Sequence, residues 1–220
     1  MGWDGSALAV GREAGRARAA VLVLHGGQVR SERAAGPRQL ASLRMGPVLR
    51  AVEGAVPDDV LIGRVRYRVR GWNGDRADPV RDTLRALDEL AERVGDVPVV
   101  LVGHSMGGRA ALRAAGHASV RGVVGLAPWW PAGEPVEQVA GRRVVALHGD
   151  RDRITSAEET AEVVRRAQGI AVRASLVIVA GGDHAMLRRY RTWHRTTASV
   201  VADLLDPAPD AHPDGAPRRK

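Results

Sequence analysis

The run Val99-Val100-Leu101-Val102-Gly103-His104-Ser105-Met106-Gly107-Gly108 restricts what this 220-residue chain can fold into more than any other stretch. Its apolar, β-branched first half reads as a strand, and the alanine-rich segment from Arg109 to Ala118 reads as a helix, so Gly-x-Ser-x-Gly falls on the turn between them. So sharp a turn forces its serine into strained backbone and leaves no room for neighbouring side chains, which is what Gly103 and Gly107 provide. A helix starting at Met106 points its unbonded N–H groups back at Ser105 and favours negative charge there. A structural turn serine is the plain alternative, and the rest of the chain decides between the two.

Ala20 to Leu24 is a continuous apolar run suited to a strand covered on both faces, and His25-Gly26-Gly27 ends it. Pro37 to Val52 has helical spacing in Leu40, Leu43, Val48, Leu49 and Val52, with Gly46-Pro47 expected to kink or divide it. Gly63 to Gly71 alternates strictly and places Arg64, Arg66, Arg68 and Arg70 on one face, which reads as a charged edge strand, or alternatively as an anion-binding ladder. Pro79 to Val94 is an amphipathic helix with Asp78 as its expected cap. Further strands are expected at Val120–Leu126, Arg143–Leu147 and Leu176–Val179. Ser156-Ala157-Glu158-Glu159 is a capping box opening a helix to about Gln168, and a closing helix runs to Leu205.

Strands thus alternate with helices, which predicts an α/β fold: a doubly wound, mostly parallel sheet of about six strands. The expected organisation is a loosely ordered segment or short edge strand over 1–17, one domain over 18–205, and a disordered Pro-rich tail over 206–220.

Composition removes several chemistries. The chain has no Cys, and its only Lys is Lys220, so a thiolate nucleophile or metal site, a phosphate-loop lysine and a lysine Schiff base within the fold are excluded. The net charge of +8 is carried by arginines scattered along the chain, without a long basic run or interleaved aromatics, which argues against nucleic acid as a partner. Met1 to Ala20 has no separate apolar segment, and no apolar run approaches the ~20 residues of a membrane span, so a cytoplasmic protein is expected.

In a sheet of this kind functional groups gather at the carboxyl ends of the strands. His25-Gly26-Gly27, Ser105, Asp150 with Asp152, and His184 all fall at such ends, in the order nucleophile, acid, histidine. Ser105 is a poor nucleophile until an imidazole takes its proton, and a buried carboxylate fixes that imidazole's tautomer. Asp152 is the favoured acid over Asp150 and Asp183. His25 and His148 are expected to make local hydrogen bonds, and His104 to point into the packing. His117, His194 and His212 lack partners at metal-ligand spacing, so neither a metal nor another cofactor is expected.

Through His-Gly-Gly at 25–27, Gly-His-Ser-Met-Gly-Gly at 103–108, His-Gly-Asp-Arg-Asp at 148–152 and Gly-Gly-Asp-His at 181–184, the chain resembles the α/β-hydrolase superfamily over about residues 19–205. The resemblance implies Ser105 as nucleophile, Asp152 as acid and His184 as base. It also implies an oxyanion hole from the backbone N–H groups of Gly27 and Met106. Two departures stand out. The family's first two strands have no clear counterpart before residue 19, and Ser156 stands where many relatives have proline.

The connection from Pro128 to Arg142, about fifteen residues, is too short for a cap domain. Trp72, Trp129 and Trp130 follow strand ends on the catalytic edge, where substrate walls would lie, although packing alone would also explain them. The expected activity is cleavage of a carboxylic ester, thioester or lactone in a small-molecule acyl substrate. An acyltransferase with the same triad, and a non-catalytic binding protein on the same scaffold, are the competing readings. Oligomeric state leaves no signature in the sequence.

Overall fold

The computed structural model describes residues 5–206. Seven strands form one sheet in the order β1-β3-β2-β4-β5-β6-β7. These are β1 (Leu8–Arg12), β2 (Ala19–Leu24), β3 (Val60–Val65), β4 (Val99–His104), β5 (Val120–Leu126), β6 (Arg143–Gly149) and β7 (Arg173–Val179). Only β1 is antiparallel to its neighbour. The helices α1 (Leu40–Glu53) and α5 (Tyr190–Leu205) cover one face, while α2 (Asp78–Val94), α3 (Met106–Arg113) and α4 (Ala157–Ala167) cover the other. Sandwiched between these layers, β2 and β4 are buried at every position, which is why they read as unbroken apolar runs rather than as alternation. The result is a doubly wound α/β sheet without a cap domain. Among the described residues no helix is long and apolar enough to cross a membrane.

The sheet has one strand more than expected. β1 lies within the segment given as loosely ordered or a short edge strand, and its register breaks between Val10 and Arg12. The Glu89 carboxylate accepts from the N–H groups of Ala7 and Leu8, at 2.9 and 2.8 Å, and so ties the strand's start to α2. Residues 1–4 and the proline-rich tail beyond Asp206 lie outside the described residues.

With β1 at the edge, the arginine-studded stretch is not an edge strand. β3 sits between β1 and β2 and ends at Val65, and the alternation from Arg66 to Arg70 belongs to a loop. The arginines do not form a ladder: Arg68 Nε donates to the buried Asp82 carboxylate at 2.6 Å, whereas Arg70 Nε donates to the Ala34 carbonyl at 2.9 Å. Alternation in this stretch tracks a buried Tyr67 and a buried Val65 between solvated arginines, not a ladder of strand pairing.

Two helix starts also differ from expectation. α1 begins at Leu40 and runs unbroken through Pro47, because buried Met45, Val48, Leu49 and Val52 hold both halves on the sheet and offset the one bond proline forfeits. Leu40 and Leu43, assigned to its apolar face, are exposed. At α2 the cap position is Ala77, in left-handed backbone, and Asp78 is the first helical residue. Its carboxylate accepts from Asn73 Nδ2 at 2.8 Å rather than from the helix's own N–H groups. Ser156 does cap α4, accepting from Glu159 N–H at 3.0 Å.

Candidate active site

Ser105 sits between β4 and α3 with φ 54° and ψ −118°, a conformation that costs a non-glycine residue roughly 1–3 kcal/mol. The turn is closed by contacts that exclude side chains. A Cβ on Gly103 would lie 2.2 Å from the Gly107 carbonyl oxygen, and one on Gly107 would lie 2.4 Å from that of Leu24. Ser105 N–H donates to the Leu126 carbonyl, and the Ser105 carbonyl accepts from Trp129 N–H, both at 3.0 Å. The strained residue is therefore braced on both of its backbone polar groups, by the end of β5 and by the loop that follows it.

The loops after β6 and β7 bring the other candidates to it. His184 Nε2 lies 3.1 Å from Ser105 Oγ, and His184 Nδ1 lies 2.8 Å from Asp152 Oδ2. A carboxylate only accepts, so Nδ1 carries the proton and Nε2 presents its lone pair to the serine hydroxyl. The Asp152 side chain is 1% exposed. Burial alone would raise its carboxyl, but hydrogen bonds from His148, from His184 and from the Thr155 and Ile154 N–H groups outweigh that and hold it well below the usual carboxylate range.

The sequence reading missed part of this network. Thr155 Oγ1 donates to Asp152 Oδ2 at 2.9 Å and lies 3.2 Å from His184 Nδ1. His148, fully buried, stands with Nε2 3.3 Å from Asp152 Oδ2 and Nδ1 2.9 Å from Thr160 Oγ1. Nothing in the residue types marks Thr155, while His148 at a strand end four residues before the acid is a signal that spacing could have offered. Asp150 and Asp183 have other work. Asp150 accepts from Gly181 N–H at 2.6 Å, and Asp183 from Leu187 and Arg188 N–H at 3.0 and 2.9 Å.

His104 points into the packing. Its Nε2–H donates to the His184 carbonyl at 2.8 Å, which leaves a bare Nδ1 buried without a hydrogen-bond partner. Burial first, then the neighbouring His184, push its pKa down to about 3, so it stays neutral. The His25 and Tyr67 rings pack edge-to-face with their centroids 4.6 Å apart, and burial lowers the His25 pKa too.

Gly27 and Met106 adjoin: a Cβ on Gly27 would meet Met106 Sδ at 2.6 Å and the Arg70 carbonyl oxygen at 2.4 Å. Met106 opens α3, so its N–H has no carbonyl one turn back to bond. Among the three tryptophans the structure buries Trp72, 4% exposed, and Trp130, and leaves Trp129 partly exposed. Trp72 and Trp129 pack edge-to-face at 5.9 Å, and the Arg109 guanidinium lies 4.2 and 4.5 Å from their ring centroids. That guanidinium also pairs with Glu134 at 2.8 Å, a buried carboxylate that binds Arg113 as well. Trp130, grouped with the other two from its position, fills the core beneath the turn: it is 1% exposed and its Nε1–H donates to the Gly108 carbonyl at 3.0 Å.

Solved structures of similar fold span nearly the whole chain. Est1E from Butyrivibrio proteoclasticus with ferulic acid bound is 14% identical with a TM-score of 0.66, over 92% of this chain and 97% of that one. XC6422 from Xanthomonas campestris, described as a serine hydrolase without lid, is 18% identical with a TM-score of 0.65, over 92% and 90%. The Paleococcus ferrophilus monoacylglycerol lipase is 15% identical with a TM-score of 0.64, over 90% and 99%. No curated protein matches by sequence. Residues 68–207, more than half of the chain, match the alpha/beta hydrolase domain family, and the chain therefore belongs to the α/β-hydrolase family and is a hydrolase.

Proposed function

We propose that the protein hydrolyses carboxylic esters through an acyl-enzyme on Ser105, with His184 as base and Asp152 as acid. The observation that carries this reading is the unbroken chain from Ser105 Oγ through the His184 ring to Asp152, at 3.1 and 2.8 Å. In the first half-reaction Ser105 Oγ attacks the ester carbonyl carbon while His184 Nε2 takes the hydroxyl proton. Asp152, ionised and buried, stabilises the imidazolium so formed. The negative oxygen of the tetrahedral intermediate is held by the N–H groups of Met106 and Gly27, each contributing on the order of 3 kcal/mol. Collapse breaks the bond to the alkoxy oxygen, which leaves with the proton from Nε2. Water then repeats the sequence on the acyl-enzyme and releases the acid.

Trp129, partly exposed, forms the apolar wall against which the substrate lies, with the buried Trp72 packed behind it. The monoacylglycerol lipase among the structural neighbours is in keeping with an ester substrate. A fluorophosphonate probe tests the assignment together with a graded series of p-nitrophenyl esters. The native protein should label and hydrolyse, Ser105→Ala should do neither, and Asp150→Ala should retain both. Labelling that survives Ser105→Ala, or a native protein that stays unlabelled beside reactive controls, would refute it.

A further inference from the structure

Beside the candidate site, on the same edge of the sheet, lies a cleft of about 280 Å³ lined by Arg151, Arg153, Asp183 and Arg188. An adjoining hollow shares Arg151 and Arg188 and adds Gly181 and Arg189. Three guanidinium groups and a single carboxylate therefore line the cleft, and a fourth guanidinium, that of Arg189, lines the hollow beside it. The carboxylate is engaged, its Oδ1 accepting from Leu187 and Arg188 N–H at 3.0 and 2.9 Å. None of the four arginines pairs with a carboxylate among the described residues, whereas Arg68, Arg109 and Arg113 elsewhere all do. Gathering several guanidinium groups around one carboxylate leaves a net positive charge that raises the energy of the folded state, and an anion relieves it.

The two loops that carry these arginines are fixed to one another. Arg151 N–H donates to the Gly182 carbonyl at 3.0 Å, and Gly181 N–H donates to Asp150 Oδ1 at 2.6 Å. A Cβ on Gly149 would come within 2.3 Å of the Gly182 carbonyl oxygen, so the loops touch backbone to backbone. The Arg189 side chain lies over Gly181, with Nε 3.2 Å from where a Cβ would stand. α5 starts at Tyr190 and adds the positive end of its dipole next to Arg189. The arginines are thus presented from a rigid frame rather than from loose loops.

We propose that this cleft binds a phosphate group of a ligand. Guanidinium forks match phosphate oxygens in pairs, and several forks around one space suit a multiply charged anion better than a single carboxylate. The volume lies below that of pockets that swallow a whole drug-sized ligand, which suits a phosphate or diphosphate group held at one end. Ile154 and Leu187, next in sequence to Arg153 and Arg188, are 73% and 71% exposed, so apolar side chains flank the arginines. A soluble phosphorylated molecule and a phospholipid headgroup share the same chemistry, and the test separates them.

Inorganic pyrophosphate is titrated calorimetrically into the full-length protein, Arg151→Ala/Arg188→Ala, and Arg173→Ala. The last removes an exposed arginine from the opposite edge of the sheet, at the start of β7. Unchanged melting temperatures show that the variants fold. Saturable one-to-one binding, weakened at least ~10-fold in the double variant and not in Arg173→Ala, is expected. Co-sedimentation with phosphatidylglycerol/phosphatidylcholine vesicles forms the second arm. Vesicle binding that depends on Arg151 and Arg188 and is displaced by pyrophosphate identifies a lipid headgroup; pyrophosphate binding alone identifies a soluble ligand. Absence of saturable pyrophosphate binding, an equal loss in Arg173→Ala, or vesicle binding without pyrophosphate binding would each overturn the proposal. No readout passes through Ser105, so an inactive protein would leave the test standing.

Discussion

His148 Nε2 stands 3.3 Å from Asp152 Oδ2, the same oxygen that His184 Nδ1 reaches at 2.8 Å, so two imidazoles share one buried carboxylate. One faces Ser105 Oγ and the other faces α4 through Thr160. Losing the inner imidazole leaves that oxygen to Thr155 and His184. His148→Ala should lower kcat for a p-nitrophenyl ester by about 10-fold with KM little changed, as expected for one hydrogen bond to a charged group. His148→Gln, which keeps a donor, should recover part of the loss. An unchanged kcat in His148→Ala would show that Thr155 and the backbone hold the carboxylate alone.

Gly103 has no space for any side chain, its ideal Cβ lying 2.2 Å from the Gly107 carbonyl oxygen, backbone that cannot swing aside. Gly103→Ala should cost at least ~3 kcal/mol in urea denaturation or prevent recovery of folded protein. Gly116→Ala is the matched control, since its Cβ would meet only Gln138 at an ordinary 3.5 Å. Its midpoint should stay within about 0.5 kcal/mol of native.

Stability should fall on mild acidification. His104 is neutral in the fold, with its pKa pushed down to about 3 from 6.5, and the unfolded chain takes up the proton first. Its contribution is therefore complete above pH 6.5 and is lost as pH falls toward 3, at up to about 1.4 kcal/mol per pH unit. His25, also lowered, acts in the same sense. Asp152, lowered from 3.8, acts only below that value. Urea midpoints at about pH 7 and about pH 4.5 should separate widely for the native protein, and less for His104→Gln. Equal pH dependence in the two would contradict a buried neutral imidazole.

Arg109 links the partly exposed Trp129 and the buried Trp72 to a buried acid: its guanidinium contacts both rings and pairs with Glu134, whose side chain is 1% exposed. Arg109→Leu strips one partner from that carboxylate while Arg113 remains, and should cost about 2–3 kcal/mol. The same change frees the two indoles, so KM should rise by about 10-fold with a smaller change in kcat, and tryptophan emission should shift. An unaltered KM would mean that the wall does not touch substrate.

The parts of the fold written as packed apolar runs, β2, β4 and β5, were legible in the sequence because burial on both faces leaves little choice of residue. So was the turn at Ser105, where two glycines record a steric exclusion. β1 was not, since an outer strand half in water carries only a weak pattern, and without it the arginine-rich stretch was given the outer place that β1 holds. The order of Ser105, Asp152 and His184 along the chain was enough to anticipate their meeting. The role of Thr155 was not legible, because a common residue acquires it only through the folding of the loop after β6, and that of His148 was offered only by its spacing four residues before Asp152. The burial of Trp72 and Trp130 was hidden for a related reason: position after a strand end says which edge a residue occupies, but not which way the ring turns.

With no cap over Ser105, an acyl group attached there would stand in plain contact with bulk solvent. Its fate becomes a race among whatever nucleophiles arrive, decided by abundance rather than by gating. Methanol or glycerol added to the assay should divert acyl groups in proportion to concentration, and the turnover should be indifferent to viscogens that slow moving flaps.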